Sequence, residues 1–419
     1  MSDTEFRVLP VRSGDAYLLK SPRGSYLVDG GGFGWTLPEL LRERGARKIR
    51  SAICTRATPS AMGGLLESMR QGLGVGEYWL PEGLAILPEL ALRFNGDLAG
   101  WLEHLGVERT EPAPPRTVWP LFALERSRNM LGAAGLLALA VAAGRGTWNG
   151  VLPEDSSPVP GRFFLHLTTR LMADAQQASA EPPLLMDMTG PLLAGMSEED
   201  LCLLCGRLLL ERFGHGPDEP RAPSGTVRVL ALAAMTAALC DRGGFKLRYF
   251  RPVDRLANNL VPRHPIMCLN GVEATPLPGL GHTVRPETIL HQAAELAVPG
   301  RGLVFRYGDA GCGALFLSNS RLGFLSAGEV LRLDRPTVVT APSRGSCRQS
   351  QAYERIVSDK PGSDVWVRAH LPRSRKVAEE FCRIPNARCL HNCRTDTVRE
   401  ILLRFQEGAW VSADHPCCA

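Results

Sequence analysis

What most restricts the fold of this chain is how its first 81 residues alternate strand-like and helix-like stretches around runs of glycine. Residues 6–11, 16–19 and 25–28 are short and apolar, with Pro22-Arg23-Gly24 as a turn before the last of them, and read as strands. The third ends in Asp29-Gly30-Gly31-Gly32. Residues 36–45 read as a helix, with Thr36 as N-cap, Pro38 in the first turn and Gly45 as the stop. A strand at 51–55, a helix at 65–71 opened by Gly63-Gly64, and a strand at 77–81 follow. Strands and helices in this alternation imply an α/β fold in which helices cover a sheet.

The pattern changes at residue 82. From there to 224 helical periodicity dominates (84–105, 121–143, 161–178 and 198–213), interrupted by proline-rich stretches. Strand character returns at 227–232, 246–250, 272–277, 302–307, 313–317, 337–340 and 365–367, and 402–411 reads as an edge. The expectation is a helical insertion at 82–224 between two halves of one α/β fold, 1–81 and 225–419.

Bulk properties exclude little. An apolar share of 44% suits a soluble globular protein, and a net charge of +5 on 419 residues does not mark a strong nucleic-acid binder. The most apolar stretch, residues 130–144, falls short of the ~20 residues that span a bilayer. The opening Met1-Ser2-Asp3-Thr4-Glu5 lacks the basic and apolar regions of a signal peptide. Together these predict a cytoplasmic protein with no membrane contact, its 12 cysteines reduced.

Three motifs carry a resemblance. The first is Val11-Arg12-Ser13-Gly14-Asp15-Ala16-Tyr17-Leu18-Leu19 followed by Gly24-Ser25-Tyr26-Leu27-Val28-Asp29-Gly30-Gly31. The second is the frame Ile53-Cys54-Thr55 with Met62-Gly63-Gly64. The third is Phe316-Leu317-Ser318-Asn319-Ser320 with the later run Val339 to Ser346. In order and spacing they resemble the metallo-β-lactamase superfamily, most closely the branch with the soluble hydrolase-like domain of bacterial DNA-uptake channels. That resemblance implies an αββα sandwich of two mixed β-sheets with a helical insertion.

It also implies a metal site, and there the chain departs from the family. The positions where members carry His and Asp ligands read Arg56, Thr58, Ser60 and Ala61; the bridging Asp is Ser320, and the His-His pair is Ser343-Arg344. Catalytic zinc needs imidazole and carboxylate donors to lower the pKa of a bound water. A guanidinium repels a cation, and an alanine offers no donor. The expectation is therefore a non-enzyme with no cofactor: a scaffold that binds a protein, either an active enzyme or a subunit of a bacterial assembly. His282, in Gly279-Leu280-Gly281-His282-Thr283, resembles a further family histidine but lacks co-ligands.

Rival sites are weaker. Arg56 and Arg344 at the former metal position could bind an anionic ligand or a nucleic-acid backbone, helped by thirteen Lys/Arg against seven acids over 344–404. Cys389, His391 and Cys393, with His415, Cys417 and Cys418, could hold a relocated zinc, although their spacing matches no finger pattern and idle thiols are the simpler reading. Cys202 and Cys205 lie in a leucine-rich helical run and read as core. The glycine run 30–34 lacks the lysine of a phosphate loop.

Overall fold

The computed structural model describes residues 4–34, 36–93, 136, 140, 197–214, 223–262, 264–274, 286–298, 300–309, 311–347, 350–369, 377–392 and 397–412. The chain is mixed α/β and divides into two compact units. One comprises Met1–Glu82, Phe245–Thr275 and Pro299–Ala419; the other comprises Gly83–Gly244 and Pro276–Val298.

The first unit holds two large mixed sheets. In the first sheet, β1 (Thr4–Val8), β2 (Tyr17–Ser21) and β3 (Gly24–Val28) form an antiparallel meander, and β4 (Lys48–Ile53), β5 (Gly74–Pro81) and β6 (Leu247–Pro252) extend it in parallel. The second contains β7 (Asn259–Leu260), β8 (Ile266–Cys268), β10 (Phe305–Asp309), β11 (Cys312–Phe316), β13 (Thr337–Thr340), β15 (Val365–Arg368) and β16 (Ala387–Cys389). Its last four strands run parallel. Antiparallel β9 (Gly271–Ala274) closes one edge of the first sheet beside β6. Two small ribbons stand apart, β12 (Leu331–Leu333) with β14 (Ile356–Ser358) and β17 (His391–Asn392) with β18 (Thr397–Val398). The hairpin of β19 (Ile401–Gln406) and β20 (Ala409–Ser412) adds to the other edge of the first sheet, β19 pairing with β1.

Strand periodicity explains the core. Alternate residues of the first sheet (Phe6, Val8, Tyr17, Leu19, Tyr26, Val28) share one apolar cluster with Phe305, Tyr307, Ala314 and Phe316 of the second. Rings interlock across it, Phe6 with Phe316 at 5.8 Å and Tyr26 with Tyr307 at 6.1 Å between centroids. The residues between them are buried as well. Leu18, Leu27, Ala52 and Tyr78 are inaccessible, and Val304, Leu315, Val339 and Trp366 pack with Phe381 and Tyr353 in a second cluster. Strands buried on both faces lose the polar alternation of an exposed sheet, hence their near-continuous apolar runs.

Helices α1 (Thr36–Glu43) and α2 (Pro59–Arg70) pack on each other, and α1 stops where Gly45 adopts a φ of 67°. Gly63 and Gly64 lie inside α2 and do not open it. Their role is close approach: a Cβ on Gly63 would stand 2.4 Å from Phe33 N, and one on Gly64 would stand 2.1 Å from Gly30 O. Two short helices, α7 (Gln351–Glu354) and α8 (Glu379–Cys382), belong to the same unit.

In the second unit α5 (Pro223–Gly243) packs against α3 (Gly83–Arg93), α4 (Glu198–Gly214) and α6 (Pro286–Ala297). Cys202 and Cys205 are buried in α4. The strand expected at 227–232 is part of α5. Its Val-Arg-Val-Leu-Ala-Leu start alternates like a strand, but the apolar run continues through alanine-rich residues that favour helix. Every residue from 229 to 239 is buried, as expected of a helix enclosed on every side. The expected insertion boundary at 224 therefore falls inside a helix, and α6 adds a later segment to this unit. No described helix is long and apolar enough to cross a membrane; most of the stretch 130–144 lies outside the described residues.

Candidate functional site

The three motifs meet at the C-terminal ends of β3, β4, β11 and β13. Here gather four of the seven positive-φ non-glycine residues found among the described residues: Asp29 (55°), Ser318 (54°), Ser343 (46°) and Arg344 (62°). Such left-handed backbone costs about 1–3 kcal/mol each and persists where surrounding contacts over-determine it. Backbone hydrogen bonds do so here. Gly30 N donates to Ala61 O at 2.6 Å, Asp15 N to Ser60 O at 3.2 Å, Gly31 N to Asp15 O at 2.7 Å and Ser343 N to Ser318 O at 2.7 Å.

Asp15 is the electrostatic centre. Arg56 donates from Nη2 to Asp15 Oδ2 at 2.9 Å, and Arg344 Nε lies 4.0 Å from Asp15 Oδ1. All three side chains are largely buried, with 4% of Asp15, 11% of Arg56 and 10% of Arg344 accessible. The two arginines therefore share a carboxylate supplied by the fold itself.

Behind this pair Asp29 is fully enclosed. Its Oδ1 accepts from Thr55 N and its Oδ2 meets Thr55 Oγ1, both at 2.8 Å, and Thr55 Oγ1 lies 2.7 Å from Ser318 Oγ. Burial pushes the Asp29 carboxyl up to about 7 against the pull of Arg56, and the charge of Asp15 pushes the same way as burial. A hydroxyl has one hydrogen to give. With Asp29 ionised, Thr55 donates to it; with Asp29 protonated, Asp29 donates to Thr55 and Thr55 to Ser318.

The other sequence-expected positions hold the frame. Thr58 precedes α2 as its N-cap residue without a side-chain capping bond, and its Oγ1 is 3.3 Å from Ser60 Oγ. Ala61 is buried and contributes only its carbonyl. Ser320 Oγ accepts from Leu322 N at 3.0 Å, inside its own turn. Cys389 Sγ accepts from Arg368 Nε at 2.8 Å, and Arg368 also lies over the Phe381 ring. The side chain of His391, and Cys393, His415, Cys417, Cys418 and His282 altogether, lie outside the described residues. Among the described residues no three of His, Cys, Asp and Glu come together.

Arg56, Thr58, Ser60 and Ala61 do not suit a divalent cation. They offer a guanidinium, two hydroxyls turned to each other, and a methyl group. Sequence reasoning missed Asp15, Thr55 and Ser318. The only available signal for Asp15 was an acid in a glycine turn, and the partners that give it meaning lie 41 residues or more away.

A second buried polar cluster sits in the same unit. Glu77 on β5 accepts from Arg248 Nε at 2.9 Å, Trp79 Nε1 at 2.8 Å, His264 Nε2 at 2.9 Å and Ser51 Oγ at 3.3 Å. Against the upward push of burial, the hydrogen bonds from Arg248 and Trp79 hold Glu77 at about 2. Burial lowers His264, so its ring stays neutral and donates from Nε2, leaving Nδ1 facing Ser51 Oγ at 3.5 Å. Ser51 and Glu77 are enclosed, which denies a substrate access.

Comparison of the sequence with protein-family models and with curated proteins returns no match.

Proposed function

We propose that this chain is a metallo-β-lactamase-fold protein without a catalytic metal centre, acting as the binding partner of another protein in a bacterial assembly. Two mixed sheets around one core, with the resembling motifs gathered at strand C-termini, support the fold reading. The observation that carries the functional one is the Arg56–Asp15 ion pair at 2.9 Å. It sets a fixed positive charge, balanced from within, where the resemblance expects metal ligands.

Two measurements test this. Elemental analysis of the purified protein is expected to find no stoichiometric zinc or manganese. Co-expression with proteins encoded beside it is expected to yield a stable complex of defined stoichiometry. A stoichiometric metal together with hydrolytic turnover abolished by chelation overturns the proposal.

A second reading has its own observation: two arginines from different motifs converge on one carboxylate. An anionic ligand would bind there, in a salt-dependent manner that Arg56→Ala and Arg344→Ala each abolish. A broad nucleic-acid surface has less support. Of the basic residues over 344–404, Arg383 and Arg404 pair with Glu379 and Glu5, Arg355 donates to Leu322 O, and Arg368 is buried.

A further inference from the structure

A basic run crosses from the end of α1 into β4. Residues 42–50 (Arg42-Glu43-Arg44-Gly45-Ala46-Arg47-Lys48-Ile49-Arg50) hold five Lys/Arg and one acid. The fold gives the nearby acids to other cations. Arg44 takes Glu43 at 2.7 Å and Glu400 at 2.6 Å. Arg70 holds Glu67 at 3.0 Å, Arg248 holds Glu77 at 2.9 Å, and Arg23 faces Asp309 at 3.4 Å. Arg42 turns from Glu39, one turn earlier on α1, and donates instead to the neutral Gln71 Oε1 at 3.2 Å. Arg47 and Lys48 are exposed and meet no acid among the described residues.

The three cations Arg42, Arg47 and Lys48 lie on adjoining segments. Lys48 is opposite Gly74 in the β4–β5 pairing, and Gln71 stands three residues before Gly74. The run Gln71-Gly72-Leu73-Gly74-Val75-Gly76 exposes all three of its glycines. A Cβ on Gly74 would stand 3.2 Å from Arg47 O and one on Gly76 would stand 2.8 Å from Arg50 O, while one on Gly72 would meet nothing within 4 Å. A strip of backbone with few side chains therefore runs beside the cations. Such a strip lets a second polypeptide backbone come close. Arg50 borders it, with Nη1 donating to Arg23 O at 2.8 Å.

We propose that this face docks an acidic segment of a partner protein, with carboxylates seated on Arg42, Arg47 and Lys48 beside the glycine strip. The inference rests on the protein-binding reading above and adds the face and the chemistry of the partner. Guanidinium and carboxylate match as planar forks, and opposite charges across an interface speed encounter and fix register. Residues 42–50 and 71–76 carry no aromatic ring on which bases could stack, and Phe245, just before β6, lies edge-on to Tyr78 at 5.4 Å. A protein segment therefore fits the strip better than a single-stranded nucleic acid.

The experiment is fluorescence anisotropy on the full chain with a labelled oligoglutamate of about 12 residues and an oligothymidylate of equal charge, at about 50 and about 200 mM salt. The same variants enter the co-expression test of complex formation. Arg47→Glu with Lys48→Glu is expected to weaken oligoglutamate binding at least about tenfold at the lower salt, and Arg42→Glu about threefold. Arg332→Glu, at a side chain 70% exposed on β12, should stay within about twofold of wild type. Wild-type affinity should itself fall about tenfold between the two salt concentrations.

An equal loss in Arg332→Glu, or none in the double reversal, overturns the proposal. Tighter binding of oligothymidylate, lost in the same variants, overturns the partner class and assigns the strip to nucleic acid. If a complex forms and survives the double reversal, this inference fails while the protein-binding reading stands. If no complex forms with any protein encoded beside the chain, that reading fails and this inference with it. All three cations are exposed, so the variants should keep the wild-type unfolding midpoint. Should charge reversal disturb the fold, Arg47→Gln with Lys48→Gln supplies a milder pair with the same expected direction.

Discussion

The two buried polar clusters of the first unit follow opposite designs. Around Glu77 a single carboxylate receives hydrogen bonds from Arg248, Trp79, His264 and Ser51, and it is held at about 2. Around Asp15 and Asp29 two carboxyls meet two arginines, polar atoms remain unused, four residues hold left-handed backbone, and Asp29 is pushed up to about 7. A fully satisfied network rigidifies a fold, whereas an under-satisfied and strained one is what binding sites accumulate. The contrast fits the proposed division, in which the Glu77 cluster serves structure and the Asp15 cluster serves binding.

The largest expected effect tests the structural side. Glu77→Ala strands the Arg248 guanidinium, Trp79 Nε1 and His264 Nε2 without their acceptor, and should lower unfolding free energy by about 3–5 kcal/mol in urea titrations near neutrality. A loss below about 1 kcal/mol would reduce the network to the weight of a surface pair and break the contrast.

Next comes the pH dependence, where the two clusters oppose each other in sign. Glu77 is lowered from 4.5 to about 2, so its contribution is complete above pH 4.5 and is lost as pH falls toward 2. Asp29 is raised from 3.8 to about 7, so its contribution is complete below pH 3.8 and is lost as pH rises through 7. His264 is lowered, so its share is present above pH 6.5 and fades on acidification, partly masking Asp29 in the wild type. Asp29→Asn isolates the term, because its amide can still accept from Thr55 N and donate to Thr55 Oγ1. That variant should be about 2–4 kcal/mol more stable than wild type at about pH 8 and converge with it by about pH 4. Equal stability of the two proteins at both pH values would remove the electrostatic difference between the clusters.

The smallest effect concerns strain. Ser343→Gly removes the penalty of a φ of 46° and should raise stability by about 1 kcal/mol while loosening the Arg344 turn. A destabilised variant would mean that the serine side chain outweighs its backbone strain.

Local order was legible wherever short-range rules act alone. The strands near 16–19, 25–28, 337–340 and 365–367 and the helix ending before Gly45 stand where period, turn residues and caps put them. Reading failed at 227–232, where a two-residue period over six residues hid a 21-residue helix. The edge expected at 402–411 is present, as the hairpin of β19 and β20 turned at Glu407-Gly408. A short window cannot see the burial that chooses helix over strand.

The candidate site divides along the same line. Sequence alone determined which residue types occupy the resembling motif: the arginines at 56 and 344, the hydroxyls at 58, 60, 320 and 343, the methyl at 61, and the glycines that let the loop after β3 lie against α2. Identity and local spacing suffice for that. Tertiary structure decided what those residues do. Arg56 and Arg344, read in sequence as uncompensated charge, both turn to Asp15, and Thr55 reaches Ser318 across 263 positions. Charge compensation and hydrogen-bond satisfaction depend on distance in space, which only the joining of the two sheets establishes.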